Sequence, residues 1–474
     1  MPDRNPKRVA VIGGGISGLS CAYYLQEGAR KQRLAVRLAL LEEGDRLGGK
    51  ILTDRRDGFI VERGPDSFIT QKPWGLQLCE RLGISDRLIR TTDLTQRVFL
   101  LRDGRLLALP EGMLLILPGR IRSFLASPII SMRGKLRMGI EPFIPRRNAQ
   151  EDESLASFVR RRLGQEALEV LGEPLMAGIY SSDPEELSLA ATFPQFLEME
   201  RRHGSLLRGM LAQKTAASGG RSPWSLFVSL KGGLSDIVDQ LSSRLSDFQI
   251  VLKGKVDRIR KNNATFEIHL PGRPPLLADQ VALMTPASAA ASLLDIGDEE
   301  LNQLLREIRY SSTVTVALGF RQGTIRDPLN GFGFLVPRRE GKHLLACTFS
   351  SSKFPGRSPA GTLLLRAFLG GGRGGDFLRE DDAVLGRRVL DELGPILGIS
   401  APPLFLQISR WENANPQYRV GHLKWVEAVE TATRRHPGLY LGGASYRGVG
   451  IPDCIRQGEQ IAEKIIGFLQ DNPH

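Results

Sequence analysis

Arg8-Val-Ala-Val-Ile-Gly13-Gly14-Gly15-Ile16-Ser17-Gly18 decides the fold, together with Leu38-Ala-Leu-Leu-Glu42 downstream. A short β-branched strand runs straight into a glycine turn. Glycines at 13, 15 and 18 let a backbone approach a pyrophosphate closely. The following helix, with Leu19, Ala22, Tyr23 and Leu25, offers its N-terminal N–H groups to the negative charge. Glu42 ends the second strand, where a carboxylate accepts both ribose hydroxyls. Gly18 and Glu42 lie 24 residues apart, slightly more than the usual interval of about 20. The polar stretch 28–33 is expected to absorb the excess as a longer helix–strand loop. The chain has 52 glycines, so the turn alone is weak evidence. Strand, helix and acid-ended strand together point to a bound dinucleotide and leave FAD and NAD both open.

The next segment separates them. Glu42 is followed by Glu43-Gly-Asp-Arg46-Leu-Gly48-Gly49-Lys50. This Glu-x-x-x-Arg-x-Gly-Gly pattern resembles the extended fingerprint of FAD-dependent amine oxidases and their relatives. NAD-only Rossmann domains show no such second element. The resemblance implies FAD, with Arg46 approaching the pyrophosphate and Gly48 and Gly49 letting backbone pass beside the flavin.

At 474 residues the chain exceeds one ordinary core, so two or three domains are expected. Its 41% hydrophobic and 24% charged residues suit a soluble globular protein. Cys21, Cys79, Cys347 and Cys454 lie far apart and read as reduced thiols. The six histidines form no HxxH or HExxH cluster, so no metal is expected. The first strand follows Met-Pro-Asp-Arg almost at once, and no signal peptide is expected. The apolar run Met113–Leu117 is too short for a bilayer core of about 30 Å. These features predict a cytoplasmic protein. Its net charge of +12, with Arg146-Arg147 and Arg160-Arg161-Arg162, suits an anionic membrane surface or an acidic substrate. No nucleic-acid motif accompanies the charge.

Beyond the first β-α-β unit, a helix is expected over 74–82 and a hairpin over 98–109, turning at Asp103-Gly104. From Pro110 to about 191, prolines break short apolar helical pieces. Residues 152–164 read as a helix with an acidic start and a basic end. Short strands are expected at 249–252, 255–259, 265–270 and 280–284. Longer ones at 313–320, 343–348 and 362–369 suggest a second, antiparallel or mixed sheet. A strand over 438–443 leads through a glycine turn into a helix over 451–468.

At this point the motifs carry a resemblance along nearly the whole chain. They are Gly13–Gly18, Glu42–Lys50, Gly64-Pro65-Asp66-Ser67, Leu230-Lys-Gly-Gly-Leu234, Gly331-Phe332-Gly333-Phe-Leu335-Val-Pro337 and Gly443-Ala-Ser-Tyr446-Arg-Gly448-Val449-Gly450-Ile451-Pro-Asp-Cys-Ile455. The chain resembles the oxygen-dependent porphyrinogen oxidases, which comprise protoporphyrinogen oxidase and bacterial coproporphyrinogen III oxidase. The last motif is the most specific.

The resemblance implies an α/β and α+β architecture. A Rossmann-like FAD-binding domain is assembled from discontinuous segments 1–85, 228–288 and 404–474. A mixed-sheet substrate domain takes 86–109, 193–227 and 289–403. A helical, membrane-associating insertion takes 110–192, for which a lid packed on the substrate domain is an equal reading. The FAD contacts carried over are Gly13, Gly14, Gly15, Ile16, Ser17, Gly18, Glu42, Glu43, Arg46, Gly48, Gly49 and Lys50. Gly64, Pro65, Asp66 and Ser67 are expected by the isoalloxazine ring, the Val256 backbone at adenine and Trp411 beside the flavin cleft. Val449, Gly450 and Ile451 open the final helix toward the flavin carbonyl edge. For the substrate, Arg97 matches an arginine that clamps a propionate. Phe332, Gly333 and Leu335 match the floor under the tetrapyrrole, although Phe332 reads equally as sheet core. Phe368 matches a further large apolar position.

No side chain is assigned a catalytic role, because the flavin does the chemistry. Animal-type relatives carry arginine where this chain has Asp66. The C-terminal motif is a bacterial form shared with coproporphyrinogen-using members. The implied reaction is six-electron oxidation of protoporphyrinogen IX to protoporphyrin IX by dioxygen, with release of hydrogen peroxide. Coproporphyrinogen III is the alternative substrate. A flavin amine oxidase would want paired aromatics at the flavin, and the final turn offers Tyr446 alone. A carotenoid desaturase ends differently, and a non-catalytic flavoprotein is the remaining reading. The expected partners are a porphyrinogen, dioxygen, an anionic surface on the inner face of the cell membrane, a ferrochelatase for product hand-off and a second copy as homodimer.

Overall fold

Val9 and Val11 on one face of the first strand and Ala10 and Ile12 on the other are all buried. A strand buried on both faces belongs inside a parallel sheet covered on both sides. The computed structural model, which describes residues 6–92, 97–113, 115–147, 151–216, 223–326, 330–370 and 376–472, places it there. Leu114, within the apolar run 113–117, lies outside the described residues. Strand Lys7–Ile12 is central in a five-stranded sheet of order Phe248–Val251, Val36–Leu41, Lys7–Ile12, Gln280–Leu283, Leu439–Leu441. Every pairing is parallel.

Val9, Val11, Leu38, Leu40 and Ala282 pack with helices Ile16–Gln32, Ser235–Arg244 and Ile451–Asp471. Ala10, Ile12, Leu41, Val281 and Leu283 pack on the other side, against the layer Arg258–Asn262, Thr265–His269 and Leu276–Ala278 and helices Ala287–Leu293, Glu299–Glu307 and His422–Thr433.

Two local expectations are corrected. Residues 28–32 are helical, not loop. The first helix runs unbroken to Gln32 and stops at Arg33 in the left-handed region, φ 54°, so the long spacing to Glu42 is taken up by added helix. Gly28 sits inside it because a Cβ there would lie 2.0 Å from Ile466 of the final helix. The strand expected over 255–259 begins only at Arg258. Upstream, Lys253 and Gly254 direct their amides to Gly44 O and Glu42 O, both at 2.8 Å.

A seven-stranded mixed sheet has the order Phe405–Pro416, Tyr310–Arg321, Thr362–Gly370, Leu344–Phe349, Gly333–Leu335, Val98–Arg102, Arg105–Ala108. The hairpin turning at Asp103-Gly104 supplies its last two strands. Helix Asp382–Leu397 covers one face through Leu385, Val389, Leu393 and Leu397. On the other face Ala317 and Leu364 meet Phe59 and Val61 of the ribbon Thr53–Arg56/Phe59–Glu62.

The helical unit forms a third core. Its helices include Met132–Gly139, Leu155–Arg162 and Glu173–Tyr180, and they continue beyond 192 through Pro194–His203 and Leu206–Ala216. Phe193, Phe196, Met199, Leu206 and Met210 share one apolar cluster with Phe124, Phe158 and Leu171. The fully buried Arg162 guanidinium crosses this core. It pairs with Glu141, lies 3.4 Å from Glu200, and donates to Ile144 O and Gly204 O, each at 2.8 Å. Glu141 also accepts from Ser205 Oγ at 2.5 Å and Leu206 N at 2.9 Å. Arg162→Met strands a buried carboxylate and should cost about 3–5 kcal/mol, read as a lowered urea midpoint.

A glycine-lined cofactor cleft

The cleft is built largely from backbone. Gly13 has φ +103°, and a Cβ on it would lie 2.8 Å from Met284 O. A Cβ on Gly18 would lie 1.8 Å from Gly13 O, so the turn closes onto its helix only without side chains. The helix starts at Ile16 with no side chain capping its first-turn N–H groups. A Cβ on Gly15 would meet no atom within 4 Å, so the turn opens there. These free donors at an open helix N-terminus fit a pyrophosphate.

Glu42 ties the turn to the second element. Its carboxylate accepts from Gly14 N at 2.6 Å and Gly44 N at 2.8 Å. Gly48 N donates to Gly14 O at 2.8 Å, and Gly15 and Gly48 form a parallel bridge. A Cβ on Gly49 would come within 3.1 Å of the Gly15 Cα. The Arg46 guanidinium stays local, donating to Leu47 O and Ile51 O at 3.1 Å and Gly49 O at 2.5 Å. It thereby holds the glycine pair in shape. Glu43 is exposed on the same loop.

The third element joins in the same manner. A Cβ on Gly64 would lie 1.9 Å from Lys50 O and 3.5 Å from the Trp411 ring. Lys50 Nζ donates to Ala414 O, and Trp411 Nε1 donates to Arg63 O at 3.0 Å. Pro65, Asp66 and Ser67 are half-buried beside it. Lys353 Nζ lies 3.0 Å and Arg366 Nη1 3.8 Å from Asp66. Burial alone would raise the Asp66 carboxyl, but Lys353 and Arg366 hold it well below the usual carboxylate range.

The C-terminal segment joins at Leu283 and Ser17. Gly442 N donates to Leu283 O at 3.0 Å, and a Cβ on Gly443 would lie 3.8 Å from Ser17 Oγ. The final helix starts at Ile451 with Gly450 before it and no side-chain cap. Lys72 Nζ grips Asp453 in its first turn at 2.6 and 2.7 Å, tying residue 72 to the final helix. Val256 is buried beneath the sheet, two residues after Gly254 donates to Glu42 O.

Of the residues expected at the substrate, Leu335 and Phe368 lie on one sheet face. Leu335, Ala346, Phe368, Thr315 and Ser409 are successive cross-strand partners, so they share one face of the seven-stranded sheet. Arg366 and Trp411, each two residues from that row, share the face. Thr315 Oγ1 donates to Arg63 O at 2.9 Å, which sets this face against the third element. Leu335 and Val449 both pack on the helical core. Gly333, φ +141°, has no room for a Cβ, which would lie 2.1 Å from Cys347 O. Phe332 is half-buried, and its N–H donates to the backbone carbonyl of the exposed Arg97 at 2.8 Å.

Several contributors escaped the sequence reading. Thr285 Oγ1 is buried with no hydrogen-bond partner among the described residues, and its methyl lies 3.3 Å from a Cβ built on Gly13. A ligand oxygen satisfies such a group. Its one signal was its place just after a strand of the parallel sheet. Lys353 and Arg366 gave no signal, because their partners lie hundreds of residues away. A separate surface cavity of 640 Å³, lined by residues including Arg309, Arg419, His422 and Trp425, contains none of the expected cofactor or substrate residues.

The cleft therefore fits FAD. When bound, FAD accepts electron pairs from substrate; the chain cradles it and aligns the facing sheet. Glu42→Ala should weaken FAD affinity by about 1.5–3 kcal/mol, measured by fluorescence titration of the apoprotein.

Comparison with known proteins agrees with the geometry. Residues 16–466 match the flavin containing amine oxidoreductase family. The chain is 34% identical to coproporphyrinogen III oxidase of Bacillus subtilis (strain 168), over 98% of each chain. It is 30% identical to protoporphyrinogen oxidase 1 of Arabidopsis thaliana chloroplasts, over 97% of this chain and 88% of the relative. A crystal structure from Exiguobacterium sp. 255-15, provisionally assigned as a protoporphyrinogen oxidase, superposes with a TM-score of 0.86. It has 33% identity and covers 98% of this chain and 99% of its own. On its motifs, its fold and these likenesses, the chain belongs to the flavin-containing amine oxidoreductases, on the porphyrinogen oxidase branch, and is an FAD-dependent oxidoreductase.

Proposed function

We propose that the protein oxidises a porphyrinogen to the porphyrin in haem biosynthesis, with coproporphyrinogen III as substrate. The observation that carries the reaction is the shared face of Leu335, Phe368, Arg366 and Trp411, set against the glycine-lined cleft. The largely apolar body of a macrocycle suits that face, with its carboxylates directed to the rim. Arg97, exposed just before strand Val98–Arg102 and without a carboxylate partner among the described residues, suits a propionate. The likeness to bacterial coproporphyrinogen III oxidases and the chain's net charge of +12 favour the more carboxylated substrate. Protoporphyrinogen IX is the second reading, favoured by the provisionally assigned structural relative.

The overall change removes six electrons and six protons from the macrocycle. With dioxygen as acceptor, three molecules of oxygen become three of hydrogen peroxide. The chain's task is to hold one meso carbon of the ring against the cleft and keep bulk water out, which needs no acid–base pair. Anaerobic mixing with each porphyrinogen tests the reading. Flavin absorbance should bleach faster with coproporphyrinogen III. Faster bleaching with protoporphyrinogen IX selects the second reading, and bleaching with neither rejects both.

The protein is further proposed to be cytoplasmic and to rest on the inner face of the cell membrane, where its product passes to a ferrochelatase. No helix among the described residues is long and apolar enough to cross a membrane. The helical unit nevertheless exposes Ile121, Met132, Leu136 and Phe143, at 61%, 65%, 69% and 81%. Arg122, Arg133 and Arg146 are exposed in the same segment. Apolar residues interleaved with arginine suit an anionic interface. Phosphatidylglycerol vesicles should sediment the protein at low salt and release it at high salt. Leu136→Glu with Phe143→Glu should abolish the binding, and a wild-type protein left in the supernatant at low salt refutes it.

A further inference from the structure

The chain buries more positive than negative charge behind the segment 62–67. Asp66 is contacted by Lys353 through both carboxylate oxygens, at 3.2 and 3.0 Å, and lies 3.8 Å from Arg366. The Arg366 side chain is only 3% exposed. Its Nη2 donates to Gly64 O at 2.5 Å, and its Nε has no partner among the described residues. Its guanidinium lies 5.0 Å from the Phe368 ring centre. Arg357, also buried, donates to Ser229 Oγ at 2.6 Å, and Ser229 Oγ donates to Asp66 O at 2.7 Å.

Two carboxylates face these three cations, Asp66 and the buried Glu62. Glu62 accepts from Thr53 Oγ1 and Leu234 N, each at 2.7 Å. Burial pushes its pKa up to about 7, against the pull of those bonds and of Arg357 and Arg366. The other charges nearby are matched elsewhere: Arg63 by Asp54 at 3.6 Å, and Asp236 by Arg55 at 2.8 Å. The cluster is therefore net positive with Glu62 ionised and more so with it protonated. Buried net charge is costly, so its retention calls for a counter-charge that the described residues do not supply.

We propose that Lys353 and Arg366 are positioning residues that present net positive charge through the segment Gly64–Ser67 to the flavin, favouring negative charge on its ring. This rests on the reading that places residues 64–67 beside the isoalloxazine. It assigns Asp66 a definite role, as the partial counter-charge that moderates the cluster. A positive environment of this kind stabilises an electron-rich ring, because Coulomb interactions persist over several ångströms in a poorly solvated site.

Sulfite is the probe, since it adds through sulfur to oxidised flavin and leaves a negative charge on the ring. The holoenzyme is titrated with sulfite, following loss of flavin absorbance, at one pH and ionic strength. Lys353→Met should raise the sulfite Kd by about tenfold, and Asp66→Asn should lower it by about tenfold. The spectroscopic midpoint potential should move in step, negative for the first variant and positive for the second. A purely structural role moves both variants the same way, so shifts of equal sign overturn the proposal. Unchanged affinity in variants that retain FAD also overturns it. If Lys353→Met loses FAD, Asp66→Asn decides alone: tighter sulfite binding supports the proposal, and weaker or equal binding overturns it. Porphyrinogen turnover is read separately on wild-type enzyme. Failure there sinks the proposed function while leaving the opposite-sign result interpretable for any flavin substrate.

Discussion

Backbone packed directly on backbone is the constraint on which this molecule depends. Gly13 meets Met284 O, Gly18 meets Gly13 O and Gly64 meets Lys50 O, each at a distance that excludes a side chain, and Gly49 meets Gly15 Cα nearly as closely. Four segments, at residues 13–18, 49–50, 64 and 284, thus form one wall of backbone packed on backbone. A negatively charged, planar cofactor needs such a wall, because pyrophosphate is held by N–H groups and helix ends rather than by bulky side chains. Glu42 and Arg46 stiffen it by taking up the N–H and C=O groups that the loops leave over.

The rest of the fold presents a second surface to that wall. The seven-stranded sheet has one face sealed by helix Asp382–Leu397 and the other turned to Arg63 and Gly64. Alternation along its strands then sorts the residues. Phe334 and Cys347 enter the sheet core, while Leu335, Phe368 and Trp411 lie on the opposite face. The helical unit abuts both surfaces through Leu335 and Val449. Its buried Arg162–Glu141 pair holds it together while it exposes an apolar, arginine-flanked surface. The helical unit therefore packs against both the sheet and the C-terminal glycine segment.

Much of this was readable from residue order. The nucleotide motif was visible because each of its requirements is local: a β-branched strand, glycines at fixed steps, a helix start and an acid ending the next strand. The hairpin at Asp103-Gly104 and the strands at 313–320 and 362–369 were visible for the same reason, since turn chemistry and alternation operate within a few residues. The loop expected over residues 28–33 was misread, because polar residues with one glycine satisfy a loop and an exposed helix equally. Contact with Ile466, more than four hundred residues away, explains the glycine.

What lay beyond the sequence was long-range pairing. Nothing near Asp66 announces Lys353 or Arg366, and nothing near Lys72 announces Asp453. Thr285 looked like the end of a strand until the sheet brought it beside Gly13. Glycines, turns and amphipathic periods are properties of short segments, so the chain alone specified a dinucleotide cradle, and a family resemblance along its motifs implied FAD. Electrostatic balance belongs to side chains that meet across hundreds of residues, so the charge around the cradle, and the face offered to substrate, emerged only when the sheets were assembled.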